Sequence, residues 1–436
     1  MKKEDIDTLT TPRPRRSGIT PMPRRAARQG GVSRAERWLY KKLLAALGHP
    51  PIEVVLWNGE TVYAPQVRAV ARVSIHDRRV LWQLLSAPDL GFGDGYSAGL
   101  IDVEGDLVEF NIAVNKTRLA AQRGWLPFAQ SVSNWFLRPR RNTLASAREN
   151  IHHHYDLGNH FYQMWLDERL LYTCAYFPDA DVTLEEAQIA KMDLVCRKLR
   201  LKPGQTVVEA GCGWGALARH MAKYYGVQVK AFNISHEQII YARERAQAEG
   251  LAKRVEYIEA DYRDISGTFD VFASVGMLEH VGTEHYRALG GIIRRCLKQE
   301  GLALIHSIAR NKAKPNSTWI EKRLFPGSYP PSLREMMDIF ESNEFSILDV
   351  ENLRLHYAKT LQHWLARFRE VEDTVQEMYD EYFVRAWRLY LAGSVAGFTT
   401  SSLQLFQVIF THANNNHIPW NREDIYRGSA KAGKNV

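Results

Sequence analysis

An α/β fold is what this chain predicts: a mainly parallel sheet with helices on both faces, joined to a small N-terminal α+β domain. Three observations lead there. The run Glu209-Ala210-Gly211-Cys212-Gly213-Trp214-Gly215 follows the β-type residues Thr206-Val207-Val208 and opens an amphipathic stretch over 216–225, the pattern of a ligand-binding strand-turn-helix. Apolar runs at Val207, Val229, Val255, Val271 and Leu304 alternate with helical segments, which builds a parallel sheet with a ligand at the strands' C-terminal ends. At 436 residues and 45% hydrophobic content, the chain exceeds the usual single domain and can bury an ample core.

Residues 1–48 read as a basic, partly disordered arm, because Arg13, Arg15, Arg16, Arg24, Arg25, Arg28, Arg34 and Arg37 meet few acids and Pro and Gly recur as far as Gln29. The net charge of +8 is concentrated here and suits an anionic surface. Near a membrane each basic residue adds roughly 1 kcal/mol, screened by salt. A plain solvated tail stands beside that reading, whereas nucleic acid is disfavoured because aromatic residues are not interleaved with the basic run. Residues 49–122 form the small α+β domain, with strands over 52–57 and 70–76, an Asn58-Gly59 hairpin signal and a helix over 78–85. A linker over 123–145 sets Trp125, Trp135 and Phe136 among Arg123, Arg138, Arg140 and Arg141; a lipid interface and packing between domains both suit it.

Residues 146–436 make the larger domain. After its fifth strand the alternation breaks into 310–331, rich in Pro, Gly and Lys, which reads as a lid over the strand ends or a loose insertion. Helices are expected over 333–341, 358–369 and 372–391, and a late antiparallel edge strand over 405–411.

No run of about 18 apolar residues suggests a spanning helix, and the basic N-terminus has no apolar segment behind it to make a secretory signal. Cys174, Cys196, Cys212 and Cys296 have neither metal-ligand spacing nor the density of a disulfide scaffold, so a reducing cytoplasm is expected. The adjacent His152, His153 and His154 cannot all face one ion from a regular helix or strand, so no metal is expected.

A Gly-x-Gly-x-Gly turn alone fits dinucleotide enzymes and S-adenosylmethionine (SAM) methyltransferases alike. A dinucleotide enzyme would place an acid for the ribose at the end of the next strand, but this one ends in Asn233-Ile234-Ser235-His236-Glu237-Gln238. With these motifs stand His154-Tyr155-Asp156-Leu157-Gly158-Asn159, Leu171-Tyr172-Thr173-Cys174-Ala175-Tyr176-Phe177, Ser274-Val275-Gly276-Met277-Leu278-Glu279-His280-Val281-Gly282 and His306-Ser307-Ile308. In that order they resemble the cyclopropane-fatty-acyl-phospholipid synthase family, from about Ala147 to Thr411. A weaker likeness through residues 91–99 and 102–107 extends to the family's N-terminal domain.

The resemblance implies a Rossmann-like class I methyltransferase sheet and a cytoplasmic enzyme peripherally associated with the inner face of the membrane. Such an enzyme uses SAM to add a methylene across a cis double bond of phospholipid acyl chains. It further implies that Gly211 and Gly213 take the amino-acid end of SAM with Tyr172 and Thr173 closing over it. Asn233, Ile234 and Gln238 would surround the ribose, and Asp261 and Tyr262 the adenine; Asp261 as a plain strand-end cap is the alternative. The neutral alkene needs no base to attack, but the resulting carbocation must be sheltered by aromatic faces and lose a proton to a nearby acceptor. In the family that acceptor is thought to be bicarbonate. The matching positions are the backbone N–H groups of Cys174 and Ile308 and the side chains of Glu279, His306 and Tyr357, with a protonated Glu279 or a charged His306 as donors to the oxyanion. Many relatives carry a Cys where Ser394 stands, so a thiol mechanism there is unavailable. Methyl- or methylene-branching relatives, a small-molecule N-methyltransferase and a non-catalytic lipid-binding protein of the same fold are the alternatives, and a homodimer stays open.

Removing residues 1–29 is expected to weaken binding to anionic vesicles at low salt and to matter less at high salt, as co-sedimentation would show. Unchanged low-salt binding would leave the arm as a solvated tail.

Overall fold

The computed structural model describes residues 30–125 and 158–426. Residues 1–29, most of the expected linker and the His152 to His154 run lie outside that range.

Helix α1 (Arg34–Ala46) starts at a capping box in which Ser33 Oγ accepts from Glu36 N at 3.2 Å and Glu36 Oε2 accepts from Ser33 N at 2.8 Å. It buries Tyr40 and Leu44, and Glu36 pairs with Arg78. The last part of the stretch read as a basic arm is therefore a helix docked on the N-terminal domain. Strands β1 (Ile52–Val55) and β2 (Thr61–Tyr63) form the expected hairpin, turning at Gly59 with φ +82°. With β3 (Ala71–Ile75) and β4 (Ile101–Gly105) they make a sheet ordered β2-β1-β3-β4, in which only β1 and β3 are parallel. Helix α2 (Arg79–Ser86) fulfils the expected helix.

Two further helices escaped the pattern, α3 (Pro88–Ser97) and α4 (Leu107–Trp125). Helix α3 reads PDLGFGDGYS, and three glycines give it poor intrinsic propensity. Each glycine marks a close approach on a different side. A Cβ at Gly91 would lie 2.6 Å from the backbone of Gln83, one at Gly93 would lie 2.3 Å from the Trp319 ring, and one at Gly95 would lie 2.8 Å from Ile101. Packing on three sides forms this helix, not propensity.

The larger domain begins with α5 (Gly158–Gln163) and α6 (Leu184–Lys198). Then β5 (Thr206–Ala210), α7 (Ala216–Tyr225), β6 (Gln228–Asn233), α8 (His236–Ala248), β7 (Val255–Glu259), β8 (Phe269–Val275), α9 (Tyr286–Cys296) and β9 (Leu297–Ala309) alternate as expected. After α10 (Leu333–Phe340) come β10 (Phe345–Asn352), α11 (Arg354–Glu370), α12 (Glu372–Met378), α13 (Glu381–Thr399), β11 (Gln404–His412) and α14 (Glu423–Tyr426). The seven-stranded sheet runs β10-β11-β9-β8-β5-β6-β7, with β11 alone antiparallel to its neighbours. Winding reverses between β5 and β8, so the crevice at their C-terminal ends is where a ligand fits.

Three expectations change. The late strand is antiparallel but interior, flanked by β9 and β10, and all nine of its residues are buried; the edge is β10, which the sequence reading missed. The helix expected over 372–391 breaks at Tyr379 and restarts where Asp380 Oδ1 accepts from Phe383 N at 2.7 Å. Residues 310–331 are fastened, not loose. Arg310 donates to the carbonyls of Lys314 and Pro315 at 2.8 Å each, and Ser317 Oγ and Trp319 N donate to Asp89 at 2.6 and 3.1 Å. Arg323 grips Asp94 in a two-pronged pair at 2.9 and 2.7 Å. This segment and α13, whose Arg385 bonds the carbonyls of Tyr96 and Ile101, seat the N-terminal domain, and one apolar core runs unbroken from Ile52 to Leu405.

Gly93→Ala is expected to drive a methyl into the Trp319 ring and destabilise the fold by about 1–3 kcal/mol in urea denaturation. Wild-type stability would mean that the ring can step aside.

Candidate active site

Strand β5 ends at a turn that only glycine accommodates without strain: Gly211, Gly213 and Gly215 have φ of +82°, +53° and +74°. A Cβ at Gly211 would also lie 2.9 Å from Met277, whereas one at Gly213 would meet nothing within 4 Å. The turn is pinned to β6 because Gly211 N and Cys212 N both donate to Phe232 O, at 2.9 and 3.1 Å. Asn233 Nδ2 closes the rim, donating to Gln238 Oε1 at 2.7 Å and Gly213 O at 3.3 Å. Asp261 Oδ1 accepts from Arg263 N at 2.9 Å, so it caps a 3₁₀ turn while facing the same space.

That space is a cavity of about 1130 Å³ including its mouth. Tyr172, Thr173, Gly211, Gly213, Asn233, Ile234, Gln238, Asp261 and Tyr262 all line it. Lys191, Glu209, Trp214, Met277 and His280 line it too and were not singled out from sequence as ligand-binding. Glu209 opens the glycine motif and could have been found there; Lys191 sits in a helical pattern where a lysine resembles a surface residue. Burial pushes the Glu209 carboxyl up to about 7 and His280 down to about 4.

The five residues expected to handle the proton do not line this cavity; they stand behind its wall. Glu279, in a 3₁₀ turn after β8, is buried, and its Oε1 accepts from Ile308 N at 2.6 Å. Its Oε2 has no hydrogen-bond partner, and burial pushes its carboxyl up to about 7. Ile308 pairs with Leu405 on β11, and Leu405 O accepts from Leu353 N at 3.0 Å. Leu353 O in turn accepts from Tyr357 N at 3.2 Å and lies 3.9 Å from Cys174 Sγ. Cys174, Glu279, Ile308 and Tyr357 are thus linked through one pair of leucines. His306 lies two residues before Ile308 on β9.

His306 differs from expectation in its charge. Lys198 Nζ donates to Gln407 Oε1 at 2.6 Å, which orients the amide so that Gln407 Nε2 donates to His306 Nδ1 at 3.0 Å. A ring accepting at Nδ1 carries its proton on Nε2, and that N–H has no partner. Burial, with Lys191 and Lys198 nearby, holds the imidazole pKa well below its usual value. His306 is a neutral donor, not a charged one. The Cys174 thiol is fully buried and burial pushes its pKa up, which suits a backbone role and not a nucleophile.

Aromatic rings pack around Tyr172 and Tyr357. Tyr172 packs against Tyr162, Trp165 and Trp364 at 5.3–5.5 Å between centroids and bonds Tyr390 through its hydroxyl at 3.0 Å. Tyr357 faces Phe398 at 4.5 Å. Among the described residues no cluster of His, Cys, Asp and Glu could hold a metal, and no helix is long and apolar enough to cross a membrane.

A family model for mycolic acid cyclopropane synthetase matches residues 142–408, and one for a domain of unknown function matches residues 39–118. A Pseudomonas putida protein named "Probable fatty acid methyltransferase" is 34% identical over 393 residues, 87% of this chain and 97% of that one. The cyclopropane-fatty-acyl-phospholipid synthase of Escherichia coli K12 is 41% identical over 264 residues, 60% of this chain and 68% of that one. Among solved structures, mycolic acid cyclopropane synthase CmaA1 complexed with SAH and CTAB matches with a TM-score of 0.58 at 29% identity, over 63% of this chain and 99% of that one.

The raised carboxyl of Glu279 also has a consequence for stability. A folded pKa near 7 against an ordinary 4.5 means that the folded chain holds the proton more tightly. The associated stabilisation is full below about 4.5 and is lost as pH rises through about 7. Glu279→Gln should flatten that decline by about 1–3 kcal/mol between pH 5 and 8 in chemical denaturation. Parallel wild-type and variant profiles would mean that the carboxyl ionises normally.

Proposed function

The chain belongs to the mycolic acid cyclopropane synthetase family, and from that premise we propose that it is a cyclopropane-fatty-acyl-phospholipid synthase. It is a SAM-dependent methyltransferase of the lipid cyclopropane and methyl transferase type. The observation that carries the finer reading is the pair of buried, unpartnered polar atoms, Glu279 Oε2, whose sister oxygen accepts from Ile308 N, and His306 Nε2, two residues before Ile308 on β9. A simple amine methyltransferase has little use for such a set behind the wall of its cofactor cavity.

The cavity's residues fit SAM: a glycine turn with a helix N-terminus behind it, an orphaned Glu209 carboxylate oxygen, and the Asn233–Gln238 pair at the rim. When bound, SAM supplies an electrophilic methyl group. In the proposed reaction the alkene's electron pair bonds to that methyl carbon as its bond to sulfur breaks, leaving a positive charge on the acyl chain. A proton then leaves the added carbon, and the freed electron pair closes the ring. The protein must exclude water while the charge exists, and Tyr172, Trp165, Trp364, Tyr357 and Phe398 present the aromatic surface that does so.

The residues behind the wall fit an oxyanion such as bicarbonate, which when bound supplies the base. His306 Nε2–H can donate from a neutral ring and Glu279 near its pKa can donate from a protonated Oε2, whereas the Ile308 N–H expected to join them is taken by Glu279 Oε1. The acceptor would be a cis-unsaturated acyl chain of a bilayer phospholipid, approached by a peripheral enzyme at the inner face of the membrane. A methyl-branched product is the second reading, favoured by the fatty acid methyltransferase likeness that extends through the N-terminal domain.

Incubation with SAM, bicarbonate and vesicles of cis-monounsaturated phospholipid should add one CH₂ by mass spectrometry, with cyclopropane protons in the product's NMR spectrum. A retained alkene with the same mass gain would establish the branching reading, and no mass gain despite SAM binding would exclude both. Glu279→Gln should leave SAM affinity intact while turnover falls by about 10²-fold or more. Near-normal turnover would remove Glu279 from the catalytic set.

A further inference from the structure

Lys191 is 1% exposed, on the inward face of α6, and it lines the cofactor cavity. Its ammonium carries three donors, of which the fold uses one, to Thr173 Oγ1 at 2.8 Å. Among the described residues no carboxylate forms an ion pair with it. The most influential acid nearby, Asp167, already accepts from Arg169 N at 3.0 Å and Leu171 N at 2.9 Å. The next acid, Glu209, lines the same cavity and leaves its Oε2 without a partner. A buried cation and a buried carboxylate, each incompletely satisfied, therefore face one end of the cavity beside the glycine turn. Leaving such groups unpaired is unfavourable, and a ligand carrying both charges would relieve both.

We propose that Lys191 is the binding residue for the α-carboxylate of the cofactor's methionine end, with Glu209 receiving the α-ammonium. The inference rests on the reading of this cavity as a SAM site and adds to it a charge pair that selects the zwitterionic amino-acid end. Thr173, held by Lys191, closes the same end, so the lysine orients both the ligand and the segment leading to Cys174. Burial holds the Lys191 pKa near 8, which leaves the ammonium charged at neutral pH and short of partners.

Calorimetric titration of the full chain with S-adenosylhomocysteine and with its decarboxylated counterpart tests this directly. The wild type should bind the carboxylated ligand ~30-fold or more tightly, as expected for a desolvated charge pair. Lys191→Met should bring the carboxylated ligand down to the level of the decarboxylated one while leaving the latter unchanged. Equal wild-type affinity for the two ligands, or an equal loss of both in Lys191→Met, would overturn the proposal while leaving the SAM site standing. Failure of the wild type to bind either ligand would overturn the SAM site itself and this inference with it. The wild-type comparison needs no substitution, so it decides the matter even if the methionine variant does not fold.

Discussion

Exclusion of water is the constraint on which the rest of this structure depends. Carboxyls at Glu209 and Glu279, an imidazole at His306 and an ammonium at Lys191 all lie out of solvent, and each has unspent hydrogen-bonding capacity. Keeping such groups dry costs free energy, and folds keep them where ligands complete them. The aromatic shell around Tyr172 and Tyr357 serves the same end. It fills volume with polarizable faces that bond no water strongly.

The N-terminal domain shares in that enclosure. Its contact with the larger domain includes the Arg323–Asp94 fork, but the two side chains are 32% and 26% exposed and such partly solvated pairs contribute little. Apolar packing carries the seam: Trp319, 4% exposed, lies against the bare backbone of Gly93, and α13 is buried along most of its length between α4 and α11. The segment that holds Trp319 also reaches back to the site, because Tyr329 N donates to Glu279 O at 2.8 Å. The domain seam and the turn bearing Glu279 therefore share one piece of backbone.

What could be read from sequence follows from how local each signal is. The glycine turn, the Asn233 to Gln238 rim and the alternating strands β5 to β9 are short-range patterns, and their places in the fold were legible. The residues behind the wall were reachable only through family likeness, because a Tyr, a His and a backbone N–H on separate elements have no pattern that joins them. Helix α3 was hidden because its glycines argue against a helix until Trp319, Ile101 and Gln83 are seen pressing on them. Strand β11 was found but set at the edge; its residues are buried on both faces, Gln407 included, as an interior strand requires, and the mostly half-buried β10 is the edge. The charge of His306 depended on Gln407 and Lys198, residues far apart in sequence that meet only across the sheet.

The backbone that lines the cavity also carries the residues that stand behind it. In the segment after α5, Thr173 lines the cavity and its neighbour Cys174 does not; in the turn after β8, Met277 lines the cavity and Glu279, two residues on, turns to Ile308. Successive residues of an extended or tightly turned chain point in different directions, so one stretch of backbone presents one residue to the cavity and the next to the packing behind it. Any backbone shift at Thr173 or Met277 would therefore also displace Cys174 or Glu279, so the cavity lining and the residues behind it cannot move independently.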